Sequence, residues 1–160
     1  MFFQSKSLTV VPSVMTRQVT INFNETDQHA YEEVKDIIDI GQQLLPDYIH
    51  TINFGVHTTD ESAANATVHA EYGELTINLQ RGWPYLEKSK RRQVILHEMM
   101  HSFSLPSFRA MIMGCEALGL TEEQKQVLDA MVRPWMEMQT ESLARMLTSR
   151  SPVLREVLLG

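Results

Sequence analysis

The chain has 160 residues, enough for one domain with a core of its own and too few for two of ordinary size. Apolar residues make up 43% and charged residues 21%, which excludes a disordered chain. The net charge of −6 argues against nucleic acid or an anionic membrane as a partner, because both reward clustered Lys and Arg. The basic cluster from Lys88 to Arg92 is short and reads as a solvated helix face.

Residues 1–14 read as a flexible N-terminal arm, and 15–160 as a single domain. The opening "MFFQSKSLTVVPSV" lacks the basic-then-apolar order of a signal peptide. No apolar run is long enough for a membrane-spanning helix. Cys115 is the only cysteine, so no disulfide can close within the chain. These features together predict a cytoplasmic protein.

"RQVTINF", Arg17 to Phe23, alternates and predicts a strand. Thr26 to Leu45 carries Ala30, Tyr31, Val34, Ile37, Ile38, Leu44 and Leu45 at helical spacing, stopped by Pro46. Tyr48 to Thr58 predicts a second strand. "NATVHAE" and "ELTINLQ" flank Tyr72-Gly73 and predict a hairpin. A helix is then expected from near Tyr85 to Ser104, ended by Pro106, with Val94, Ile95, Met99 and Phe103 packing inward. A loop or short helix is expected over Phe108 to Gly119. Thr121 and Gln124 form the capping-box pattern T-x-x-Q for a last long helix to about Ser149. Pro134 should kink or split that helix, and Leu128, Met131, Val132, Trp135 and Met146 form its core face. Ser151 to Leu159 is a short amphipathic segment that can pack back or meet a partner. The order predicts an α+β domain with a small, mostly antiparallel sheet.

Chemistry enters at "RRQVILHEMMHSFSLP", Arg91 to Pro106. His97, Glu98 and His101 stand in the order H-E-x-x-H. On a helix the two histidines share one face, one turn apart, and can point nitrogens at one ion. Glu98 is rotated by about 100° and flanks that ion, where it can take a proton from water. Zinc binds imidazole readily and prefers four ligands.

A third protein ligand is needed. The histidines lie at 29, 50, 57, 69, 97 and 101, so none follows His101. Ser104 and Ser107 stand where the longer metzincin motif requires Gly and His. The third ligand is then an acid, Cys115 or an upstream histidine. On the last helix, Glu137, Thr140, Glu141 and Ala144 share one sector, pairing two carboxylates with two small residues that admit a neighbouring helix.

"HEMMH" followed on a later helix by "EMQTESLA" resembles the gluzincin arrangement, H-E-x-x-H and then E-x-x-x-D. It is similar to small zincins of phages and bacteria, and more distantly to ImmA/IrrE-type and HtpX-type metallopeptidases. The resemblance implies a minimal zincin-like fold and one Zn2+ per chain, held by His97, His101 and Glu137. It implies Glu98 as the catalytic base and Glu141 as the acid that supports a ligand histidine. Glu141 stands where the pattern usually has Asp, which bears on which glutamate is the ligand. It also implies an edge strand that holds extended peptide. Glu74, Leu75, Thr76, Ile77 and Asn78, in the last strand before the motif, are expected in that place.

The expected activity is hydrolysis of peptide bonds in a narrow peptide or protein substrate. No Tyr follows Tyr85 and no His follows His101, so oxyanion stabilisation falls to Tyr72, His69 or Arg145. That scarcity supports the competing expectation, a metal-binding zincin-fold regulator or binding module with little turnover.

Overall fold

A computed structural model describes residues 19–56 and 63–159. The arm expected over 1–14 lies outside these residues, as do the outer ends of the first two predicted strands. The order is β1 (Thr20–Phe23), α1 (Gln28–Gly41), β2 (Thr51–Val56), β3 (Ala64–His69), β4 (Glu74–Leu79), α2 (Lys88–Ala117), α3 (Glu122–Arg150) and α4 (Pro152–Leu159). The class is α+β, as the element order predicts.

The strands form one sheet in the order β1-β2-β4-β3. It is mixed, not mostly antiparallel. β1 runs parallel to β2 and β2 parallel to β4, while β3 and β4 are antiparallel. The helix α1 is the cause: it carries the chain back to the end where β1 began, so β2 must run in the same direction. The chain then passes to the far edge for β3, and the hairpin inserts β4 between β3 and β2. Gly73 closes that hairpin at φ +63°, where a Cβ would fall 2.5 Å from the Tyr48 carbonyl oxygen. The insertion also takes β4 off the edge. Glu74, Leu75, Thr76, Ile77 and Asn78 pair with β2 on one side and β3 on the other. Their backbone has no free edge for a substrate; the edge strands are β1 and β3.

Alternation along the strands buries Ile52, Phe54, Val68, Leu75, Ile77 and Leu79 on one face. The other face is polar, with Asn22 Nδ2 donating to Asn53 Oδ1 at 3.0 Å and Asn78 Nδ2 to Asn65 Oδ1 at 3.2 Å. Ile37 and Ile38 of α1 and Ile95, Leu96, Met99 and Met100 of α2 complete the core. Each such side chain contributes about 1.5–3 kcal/mol on burial, which fixes the rotation of α2 about its axis. α4 packs back through Leu154 and Leu158, and Arg92 Nη1 donates to the Val157 carbonyl at 2.7 Å. Arg92 also pairs with Asp36, and Arg91 with Glu33 at 2.6 Å. The basic cluster is therefore partly engaged inside the fold, not a solvated face throughout.

The motif helix does not end before Pro106. α2 runs 30 residues to Ala117 and absorbs most of the segment expected as a loop or short helix. A proline there removes the N–H that would bond the Ser102 carbonyl. The Tyr48 hydroxyl donates to that carbonyl instead, so the acceptor is satisfied and the helix continues. α3 passes Pro134 as a single helix, and its capping box forms, with Thr121 N donating to Gln124 Oε1 at 2.9 Å. α3 packs mainly on α2 and α4 and buries one narrow stripe, Met136, Thr140 and Ala144. The stripe is too narrow to bury the expected core face, so Met131, Trp135 and Met146 are exposed, as is Phe103 of α2. Among the described residues no helix is long and apolar enough to cross a membrane.

Candidate metal centre

α2 and α3 meet in opposite directions, so His97 faces Glu141 while His101 faces Glu137 and Thr140. The burial of Ile95, Leu96, Met99 and Met100 turns His97 and His101 towards this seam. Their rings lie 4.9 Å apart, edge to face. Glu137 Oε2 sits 3.2 Å from His97 Nε2 and 3.4 Å from His101 Nε2. Glu98 Oε2 lies further off, 3.9 Å from His101 Nε2. The ligand atoms of His97, Glu98 and His101 all fall within 4.8 Å of one another, so this group could hold a metal ion.

The opposite ring nitrogens are also engaged. His97 Nδ1 lies 3.2 Å from Glu141 Oε2, and Arg145 Nε donates to Glu141 Oε1 at 2.7 Å. His101 Nδ1 lies 3.3 Å from Thr140 Oγ1 and 3.4 Å from Ser104 Oγ. The Thr140 hydroxyl donates to the Met136 carbonyl at 2.9 Å, which leaves its oxygen to accept from His101 Nδ1–H. Each histidine thus has an oxygen within reach of Nδ1 and turns Nε2 towards Glu137. Two imidazole nitrogens and a carboxylate oxygen come together. That donor set suits a cation.

The electrostatics agree. Burial pushes the Glu98 carboxyl up to about 7, with His97 opposing the rise and Glu137 adding to it. Burial holds His101 below the ordinary imidazole value; Glu137 opposes this, and His97 and Arg133 add to it. The hydrogen bond from Arg145 holds Glu141 below the usual carboxylate range, against its burial and with help from His97. A buried carboxyl poised near neutrality beside two imidazoles is a functional-site signature.

A cleft of about 780 Å3 opens beside the seam, between α2, α3, α4 and the start of β3. Glu98, His97, Glu141 and Arg145 line it, and Ala63 and Ala64 bring the β3 edge to its wall. His69 lies five residues further along β3, about 16 Å from Ala64, and Tyr72 is 66% exposed on the turn beyond. Neither borders the cleft, so Arg145 alone of the three oxyanion candidates does. Cys115 is buried in the outer half of α2, away from the histidines. The hydroxyls of Thr140 and Ser104 were not legible as functional: Thr140 reads as a small spacer, and its bond to His101 depends on helix pairing. The available signal was Thr140's place on the carboxylate sector. No protein-family model, curated protein or solved structure matches the chain.

Proposed function

We propose that the chain is a zinc-dependent metallopeptidase of gluzincin type. The observation that carries this reading is the distance of one carboxylate oxygen from two imidazole nitrogens. Tetrahedral zinc with bonds of 2.0–2.1 Å sets its ligand atoms about 3.3 Å apart. Glu137 Oε2 stands 3.2 Å and 3.4 Å from the two Nε2 atoms. His97, His101 and Glu137 would hold the ion. Glu98, which lies further from the histidine nitrogens, is left for proton transfer.

Held by His97, His101 and Glu137, a zinc ion would supply Lewis-acid polarisation and a water acidic near neutral pH. Glu98 takes the proton from the attacking water and passes it to the departing amine. Glu141 and Thr140 hold the histidines in the required tautomer, and Arg145 holds Glu141. Among the described residues no strand pairs with the outer edge of β3, so an extended peptide would pair there, beside α2.

A second reading is a metal-binding regulator with little turnover. It is favoured by the positions of His69 and Tyr72 outside the cleft, which leave Arg145 to serve the oxyanion. Glu98→Gln separates the two. A peptidase keeps metal and loses hydrolysis; a binding module has no hydrolysis to lose and keeps partner binding.

A further inference from the structure

The cleft beside the metal centre has a feature that peptide-bond hydrolysis does not require. In a chain of net charge −6, it is lined by Lys90, Arg145 and Arg155. Its acids are Glu98 and Glu141, and Glu141 is already bonded to His97 and Arg145. Arg155 is held on the wall by its bond to the Ser149 carbonyl at 2.7 Å. Lys90 has no carboxylate partner among the described residues. Below this basic rim the floor is apolar, formed by Val94, Leu96, Ala144 and Leu158.

The distance from the rim to the proposed ligands follows from helical rise on α2 and α3. Lys90 precedes His97 by seven residues on α2, a rise of about 10 Å. Arg145 follows Glu137 by eight residues on α3, a rise of about 12 Å. Because the helices run in opposite directions, both displacements point the same way along the cleft. An extended peptide covers that length in about three residues.

We infer that the cleft selects peptides bearing a carboxylate two or three residues beyond the bond to be cut, with an apolar side chain between. The inference rests on the metallopeptidase reading for the position of that bond. The carboxylate is that of a chain terminus or of an Asp or Glu side chain. Its charge-assisted hydrogen bonds to Lys90 and Arg155 supply the selection.

The test is binding by isothermal calorimetry to the full chain carrying Glu98→Gln, so that no probe is consumed. The probes are acetyl-Ala-Ala-Leu-Leu as the free acid, the same peptide as its amide, and acetyl-Ala-Ala-Leu-Asp amide. The free acid should bind at least about tenfold more tightly than its amide. Recovery of that affinity by the Asp amide assigns the side-chain source; failure to recover it assigns the terminus. The preference should be lost in Lys90→Gln and Arg155→Gln, both exposed positions where the fold is not at risk. Equal binding of all three peptides, a preference that survives both variants, or no binding of any probe would overturn the inference. Hydrolysis by the unsubstituted chain is scored separately. A chain that cleaves acid and amide equally keeps the peptidase reading and loses this one. A chain that prefers the acid but never cleaves keeps the cleft's selectivity and loses the peptidase.

Discussion

The Tyr48 hydroxyl donates to the Ser102 carbonyl, the acceptor that Pro106 deprives of its helical donor. Ser102 is fully buried and directly follows His101, so this bond steadies the turn of α2 that carries the motif. Burial also raises the Tyr48 pKa, which keeps the hydroxyl a donor. Tyr48→Phe leaves the carbonyl unsatisfied and should cost about 1–3 kcal/mol. In a Pro106→Ala background the backbone N–H returns, and the same substitution should cost far less. Urea denaturation of the four chains measures this. Equal costs in both backgrounds would contradict the replacement of one donor by the other.

The ligand and its support should separate in metal affinity. Glu137→Ala removes the only carboxylate within 3.4 Å of both Nε2 atoms among the described residues. Glu141→Ala leaves those three atoms in place and removes only the partner of His97 Nδ1. Loss of such a partner weakens affinity about 10–100-fold, and loss of the ligand should weaken it more. Competition against a chromophoric chelator ranks the two variants. The reverse order would exchange the roles of the two glutamates.

Glu98→Gln should keep the metal and lower hydrolysis about 10²–10⁴-fold, the usual contribution of a positioned general base. The amide is nearly the same size, and no other Glu98 contact closer than 3.9 Å to the histidines is lost. Metal loss in this variant would make Glu98 a ligand.

The raised pKa of Glu98 sets a pH dependence in the metal-free chain. Unfolded, the carboxyl ionises near its ordinary value of 4.5; folded, it holds its proton up to about 7. The folded state therefore binds more protons across that window, and its stability falls as pH rises through it. The loss is complete above about 7 and amounts to about 3 kcal/mol. Glu98→Gln has no such proton. Chelator-treated wild type should lose stability relative to Glu98→Gln between pH 5 and 8, as read by urea midpoints. Parallel midpoints would show that Glu98 ionises freely in the fold.

Local pattern revealed the parts of this molecule whose causes are local. The Thr121–Gln124 capping box, the β3–β4 hairpin and the shared sector of Glu137, Thr140, Glu141 and Ala144 all follow from spacing along one segment. Strand direction does not, because alternation in Glu74–Leu79 looks the same in a parallel or an antiparallel pair. Strand order is equally hidden, and the substrate-edge assignment failed because β4 is inserted between β3 and β2. The helix end failed differently. Pro106 is a sound stop signal, and the donor that overrides it comes from Tyr48, on a segment far away in sequence. The exposure of Met131 and Trp135 has the same origin: an apolar stripe shows what a helix can bury, not what arrives to cover it.

The proposed function depends on metal at the His97–His101–Glu137 seam, so the first measurement is metal per chain. Elemental analysis is run on protein purified without added metal or chelator, with His97→Ala and Glu137→Ala alongside. The geometry predicts close to one zinc per wild-type chain, lost in both variants. A wild-type chain that carries no zinc, and takes up none when zinc is added, would contradict it.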